Sequence, residues 1–312
     1  MGPIAMSVSF EGYSPSFADV LGDAPRLEKV ADVDAHEGPV YVASEDALYF
    51  TTFPKPGPQV SIKRLDLVTF DVSVVRRDAN GANGMTLDRS GRLIVCEQGS
   101  LTERARISRL DPVSGWIEAI VDAWDGLALN SPNDVVVKSD GTIWFTDPSY
   151  GSLQGFRPAP MAGDHVYRHD PATGRTTVVS SSFDKPNGLA FSPDERLLYV
   201  GDSGANQEAG SFYPERPHHI RAFEVEDGQL AGDHLFAVTN PGFPDGLKVD
   251  SLGRVYASSF SGVQVFASTG VLLGEIRLPG AVNFTFGGAD GSTLFITTDT
   301  AIWAATLGAK GA

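Results

Sequence analysis

The chain has 312 residues, 42% of them apolar and 20% charged, which suits a globular protein with enough length to bury a large core. A net charge of −15 sets it against nucleic acid and anionic membrane surfaces, both of which would repel it. The single cysteine, Cys96, excludes an internal disulfide, and no run approaches the roughly 18 apolar residues of a membrane span.

The opening MGPIAMSVSF has neither a basic segment nor a long apolar one, so it does not read as a secretory signal, and a cytoplasmic location is expected. Residues 1–25 read as an arm over the surface, and residues 26–312 as one domain. RLEKVADVD, from Arg26, reads as a strand without a partner of its own. A pattern then repeats: EGPVYVASEDALYFTT from Glu37, NGMTLDRSGRLIVCEQ from Asn83, NDVVVKSDGTIWFTDP from Asn133, NGLAFSPDERLLYVGD from Asn187, DGLKVDSLGRVYASSF from Asp245 and NFTFGGADGSTLFITT from Asn283. Successive anchors lie 46, 50, 54, 58 and 38 residues apart, so a repeat architecture is indicated.

Each unit has an anchor, a short apolar run, a polar or glycine turn and a second apolar run. Two further β-branched or aromatic runs follow, as in HVYRHDPATGRTTVV. Four strands per unit and six units predict an all-β, six-bladed β-propeller with four antiparallel strands per blade. After Asn283 only three runs remain, the last being AIWAATL. The strand from Arg26 is expected to supply the fourth and close the ring, removing two open sheet edges.

Taken singly, an Asn-Gly or Asp-Gly anchor is turn chemistry. Six in phase are different, because the first strand of every blade lines a propeller's axis and equivalent entrances converge there. Glu37, Asn133, Asn187 and Asp245 are thus expected to bring oxygen atoms to one point. Four hard oxygen donors, two of them anionic, suit Ca²⁺ first and Mg²⁺ or Mn²⁺ next; Zn²⁺ more typically takes His or Cys. Around the axis, Asn83, Asp147 and Tyr150 (in TDPSYG) and His36 are candidate substrate contacts. Turn, loop or packing roles are the competing readings of each. Cys96, inside RLIVCEQ, reads as a buried structural thiol. Two insertions, GSLQGFRPAPMAGDH and GANQEAGSFYPERPHH, carry Phe156, Arg157, Phe212, Tyr213 and Arg216, and read as pocket-shaping or plain solvent loops. GDSGA, from Gly201, ends a second strand in the register of TDPS and lacks the context of a serine-protease nucleophile.

HEGPVY, SPNDVVV…GTIWFTDPSYG, KPNGLAFSPDERLLYVGDSG and FPDGLKVDSLGRVY, in that order, resemble the gluconolactonase / senescence-marker-protein / luciferin-regenerating-enzyme family over about residues 30–306. The resemblance implies a six-bladed propeller with one catalytic divalent cation on its axis. Glu37, Asn187 and Asp245 fall on the family's metal ligands, and Asn133 on a residue that binds metal in some members and faces substrate in others. It implies a hydrolase that opens a sugar lactone, with Asp245 as general base or as ligand only. The cofactor implied is one divalent cation, Ca²⁺ first, with Mg²⁺, Mn²⁺, Zn²⁺ or Fe²⁺ as alternatives. The partner is a small-molecule lactone, and neither nucleic acid nor membrane. The same four residues resemble the set of diisopropylfluorophosphatase, a six-bladed phosphotriesterase, and a non-catalytic calcium- or protein-binding propeller is the reading from another class. Where some members carry a sugar-holding Arg two residues before the ND asparagine, this chain has Ser131.

Overall fold

The computed structural model describes residues 9–54 and 59–312. Six antiparallel sheets of four or five strands follow one another along the described chain, each beginning near one anchor, with a small two-stranded sheet, Ala123–Trp124 and Leu127–Ala128, between the second and third. Blade one runs Glu37–Val42, Ala47–Thr51, Ile62–Asp66 and Val72–Arg76; blade two runs Ala82–Leu87, Leu93–Glu97, Arg106–Leu110 and Ile117–Val121. Blade three comprises Val135–Val137, Ile143–Asp147, His165–Asp170 and Arg175–Ser180; blade four Pro186–Phe191, Leu197–Asp202, His219–Glu226 and Gln229–Val238. Blade five comprises Leu247–Val249, Val255–Ser259, Gly262–Phe266 and Leu272–Arg277. Blade six takes Phe284–Gly287, Thr293–Thr297 and Ala301–Thr306 from the C-terminal end, and its outer strand is Arg26–Asp32, paired antiparallel with Ala301–Thr306. The ring closes with the N-terminal strand, as the three-strand count after Asn283 requires.

The second strand of each blade is pressed between two neighbouring sheets. Ala47–Thr51, Leu93–Glu97, Ile143–Asp147 and Val255–Ser259 are buried at every position, which explains their unbroken apolar runs. Cys96 lies in one of them, fully buried, and burial pushes its thiol well above the ordinary range, so it is inert packing. The outer strand Val72–Arg76 opens to water, with Val72, Ser73 and Val74 exposed in succession. The core lies between blades: Trp144 of blade three packs with Leu189, Leu198 and Val200 of blade four, and Tyr49 of blade one with Leu93 and Val95 of blade two. Each such side chain contributes about 1.5–3 kcal/mol by leaving water.

The segment before Arg26 is built in where it is described, residues 1–8 lying outside the described residues. Ser9–Gly12 forms a fifth strand on blade five, pairing with Leu272–Arg277. The short helix Phe17–Leu21 buries Phe17 and Val20 in the core between blades five and six. No described helix is long and apolar enough to cross a membrane.

Candidate active site

The anchors form the floor of one cavity. Gly38 has φ +56, the left-handed region that a side chain resists. The other anchor glycines answer to close approach instead. A Cβ at Gly84 would sit 2.5 Å from the Asn133 carbonyl oxygen, and one at Gly188 would overlap the Asp245 carbonyl oxygen. The Gly84 amide donates to Asn133 O at 2.8 Å, and the Gly188 amide to Asp245 O at 3.0 Å. The glycines after Glu37, Asn83, Asn187 and Asp245 thus let the next blade's anchor come close, whereas Asn133 and Asn283 are followed by Asp134 and Phe284.

Glu37, Asn83, Asn133, Asn187 and Asp245 all line a cavity of about 510 Å³. The sixth anchor, Asn283, turns below them: its Nδ2 donates to Glu37 Oε2 at 2.7 Å and its Oδ1 accepts from the Phe284 amide at 2.7 Å. Asn83 donates from Nδ2 to the Asn133 carbonyl at 3.0 Å. Asp245 is half-buried, opening onto the cavity, while its amide and that of Gly246 bond the Ser258 hydroxyl at 3.0 Å.

The electrostatics suit a cation. Burial, and then the nearness of Asp245, push the Glu37 carboxyl well above the ordinary carboxylate range. Burial raises Asp245 too, opposed by hydrogen bonds from Asn187 and Glu37. Among the described lining residues there is no Lys or Arg to neutralise the two. Beneath them lies Asp134, buried, its carboxyl raised by desolvation; its Oδ2 has no hydrogen-bond partner among the described residues. Unpaired buried carboxylates are costly. Glu37, Asn133, Asn187 and Asp245 are the residues that could hold a hard divalent cation, and such an ion would remove that cost.

A second tier forms the wall, one residue or more from every blade. Each lies just past the end of the blade's second strand: Phe53, Gln98, Tyr150 with Gln154, Asn206, Phe260 and Asp299. Of these only Tyr150 was marked in the sequence, although the shared register in the repeat would have found the rest. Tyr150 is buried and donates its hydroxyl to the Ser203 carbonyl at 3.3 Å; burial, with Asp245 and Asp202 nearby, keeps the phenol protonated. His36 also lines the cavity, half-buried, with Nδ1 2.6 Å from Asp299 Oδ1 and its ring edge-on to Phe53 at 5.2 Å.

Asp147 does not join them. Fully buried, it accepts the Asn130 and Ser131 amides on separate oxygens, both at 2.8 Å. Asp202 does the same in blade four, accepting the Asp184 and Lys185 amides at 3.0 and 2.9 Å. Each carboxylate ties down the loop that leads into an anchor, Asn133 or Asn187. A substrate contact by Asp147 is therefore replaced by a loop-fixing role: its oxygens are spent on backbone. Ser131 donates its hydroxyl to the Pro148 carbonyl at 2.6 Å and also serves the loop. Arg157 likewise turns from the cavity, its guanidinium donating to the carbonyls of Ser100, Glu103, Leu129 and Asn130 at 2.7–3.1 Å. From the second insertion the lining takes Asn206, Ala209, Gly210 and Ser211, not Tyr213 or Arg216; Phe212 packs behind, against Phe260, at 5.2 Å.

Residues 35–300 match the model of the SMP-30/Gluconolactonase/LRE-like region. The gluconolactonase of Zymomonas mobilis is 32% identical, over 91% of this chain and 82% of its own. The structure of a gluconolactonase from Xanthomonas campestris superposes with a TM-score of 0.83 at 35% identity, covering 98% of this chain and 96% of its own. Luciferin-regenerating enzyme shares the fold, with a TM-score of 0.73 at 20% identity over 93% of this chain and 98% of its own. A match across this much of the chain, with the anchors in one cavity, decides the question: the chain belongs to the SMP-30/gluconolactonase/LRE-like family.

Proposed function

We propose that the protein hydrolyses a sugar lactone in this cavity, with a divalent cation, Ca²⁺ first, held by Glu37, Asn133, Asn187 and Asp245. The observation that carries the reading is the meeting of two carboxylates and two carboxamides at the cavity floor, without a Lys or Arg among the described lining residues. The likeness to two gluconolactonases along nearly the whole chain supplies the reaction class. A cation bound there would polarise the lactone carbonyl and stabilise the charge that develops on its oxygen.

The chain's own groups do the rest. Asp245 opens onto the cavity and accepts the proton of the attacking water, a contribution typically of about 10²–10⁴-fold. Asn283 holds the Glu37 carboxylate in place from below. Tyr150, protonated and fixed, presents a hydroxyl at the wall. Asn83, His36 and the other wall residues orient the ring. No feature of the site favours the phosphotriester or the non-catalytic reading over this one.

Proton release on adding glucono-1,5-lactone tests it, using protein as purified, treated with EDTA, and re-supplied with Ca²⁺, Mg²⁺, Mn²⁺, Zn²⁺ or Fe²⁺. Turnover above the spontaneous rate that chelator abolishes and one metal restores is the expected result. Turnover that persists in chelator would remove the cation from the reading, and no turnover on any lactone would remove the activity.

A further inference from the structure

The wall of the cavity is divided chemically. Blades two, three and four, contiguous in the ring, contribute carboxamides above the floor: Gln98, Gln154 and Asn206. The side chains of Gln98 and Gln154 make no hydrogen bond within the described residues, and Asn206 spends only Nδ2, on the Ser211 carbonyl at 3.1 Å. Blades five and one contribute no carboxamide but the apolar rings of Phe260, with Phe243 edge-on at 5.4 Å, and Phe53; the one ring on the carboxamide side is Tyr150, which carries a hydroxyl. Phe53 and Phe260 are 44% and 48% exposed, so each leaves apolar ring surface open beside the cavity it lines. The described lining holds three carboxylates, Glu37, Asp245 and Asp299, more negative charge than one divalent ion can cancel.

Resting on the lactone reading above, we propose that this wall selects uncharged, polyhydroxylated lactones, against both anionic and unsubstituted ones. A carboxamide offers a donor and an acceptor at once, which matches a hydroxyl group of either sense. The two free amides of Gln98 and Gln154, with the open Oδ1 of Asn206, grip the hydroxyl-bearing edge of the ring on one side. The rings of Phe53 and Phe260 cover its C–H face on the other side, where an apolar surface otherwise stands in water. A phosphate or sulfonate on the exocyclic carbon meets carboxylates and a chain of net charge −15, with no described Lys or Arg in the lining to receive it.

The test pairs turnover with binding, so that recognition is read apart from chemistry. Glucono-1,5-lactone, its 6-phosphate and δ-valerolactone are compared by kcat/KM on the metal-loaded protein. Glucono-1,5-lactam, its 6-phosphate and 2-piperidinone, which are not hydrolysed, are compared by calorimetry. The hydroxylated neutral compound is expected to lead each set by at least about tenfold. In Gln98→Ala/Gln154→Ala, the ratio of glucono-1,5-lactone to δ-valerolactone kcat/KM is expected to fall at least about fivefold; general damage to the fold would lower both and leave the ratio. Equal use of the three lactones, a preference for the phosphorylated one, or an unchanged ratio in the double variant overturns the proposal. Selective lactam binding without turnover of any lactone supports it while refuting the catalytic reading; absence of both binding and turnover overturns both.

Discussion

Asn283, the last anchor in the chain, donates its Nδ2 to the carboxylate of Glu37, the first anchor, at 2.7 Å. The bond crosses the seam where blade six meets blade one, and 246 residues of chain separate its partners. It joins ring closure to the site, because the residue that completes the ring of anchors also fixes the orientation of an acidic group at the floor.

Asn283→Ala is therefore expected to weaken cation binding by about 10–100-fold, the usual range for losing a partner that orients a ligand. It also leaves the buried Glu37 Oε2 with the Gly38 amide, at 3.1 Å, as its remaining donor, at a cost of about 1 kcal/mol. Calorimetric titration with Ca²⁺ and urea unfolding read the two effects separately. Unchanged affinity would show that Glu37 needs no support from below.

Gly188→Ala tests the close approach of blades four and five. The new Cβ would overlap the Asp245 carbonyl oxygen and lie 2.8 Å from the Leu247 amide nitrogen, both of them backbone. A loss of about 3 kcal/mol or more is expected, with a drop in activity because Asp245 is displaced. Gly12→Ala is the control: its Cβ would meet Phe17 Cδ1 at 3.4 Å, an ordinary contact, and a change within about 0.5 kcal/mol is expected.

Two aspartates that look alike in sequence should separate by experiment. Asp245→Asn is expected to lower kcat by about 10²-fold or more with Tm in chelator unchanged or higher, since one of two adjacent carboxylates is removed. Asp147→Ala strands two buried amides and is expected to cost about 2–5 kcal/mol, seen as a clear fall in Tm. The reverse pattern would exchange their roles.

Stability without cation should fall as pH rises. Burial raises the carboxyls of Glu37, Asp134, Asp147 and Asp245 above their ordinary values. In the window from about 4.5 to about 8 set by Glu37, the folded chain therefore holds more protons than the unfolded one, and raising the pH favours unfolding. In chelator, Tm is expected to decline across that window. Added Ca²⁺ should restore it most strongly at the upper end, with affinity that tightens as competing protons leave. A Tm that rises with pH in chelator would contradict this.

Much of this was open to reading from the sequence, and the reason is periodicity. A period of two within strands and a recurring anchor between them survive in a linear text, so the blade count, the closing strand from Arg26 and the shared position of Glu37, Asn133, Asn187 and Asp245 could be taken from residues alone. Cys96 could be placed because a strand pressed between two sheets is apolar on both faces. What the tertiary structure decided is where side chains in loops point. Asp147 and Tyr150 stand three residues apart in TDPSYG, yet one is spent on the Asn130 and Ser131 amides and the other reaches the cavity. Arg157 sits in a loop that looked free to face substrate, but carbonyl groups up to 57 residues away hold it. The division of the wall into carboxamides and aromatic rings exists only after blades two to four and blades five to one take their places around the axis. Strand periodicity is local and is written in the order of residues. The direction of a loop side chain depends on which unsatisfied backbone groups of distant segments lie within reach, and only the closed ring sets that.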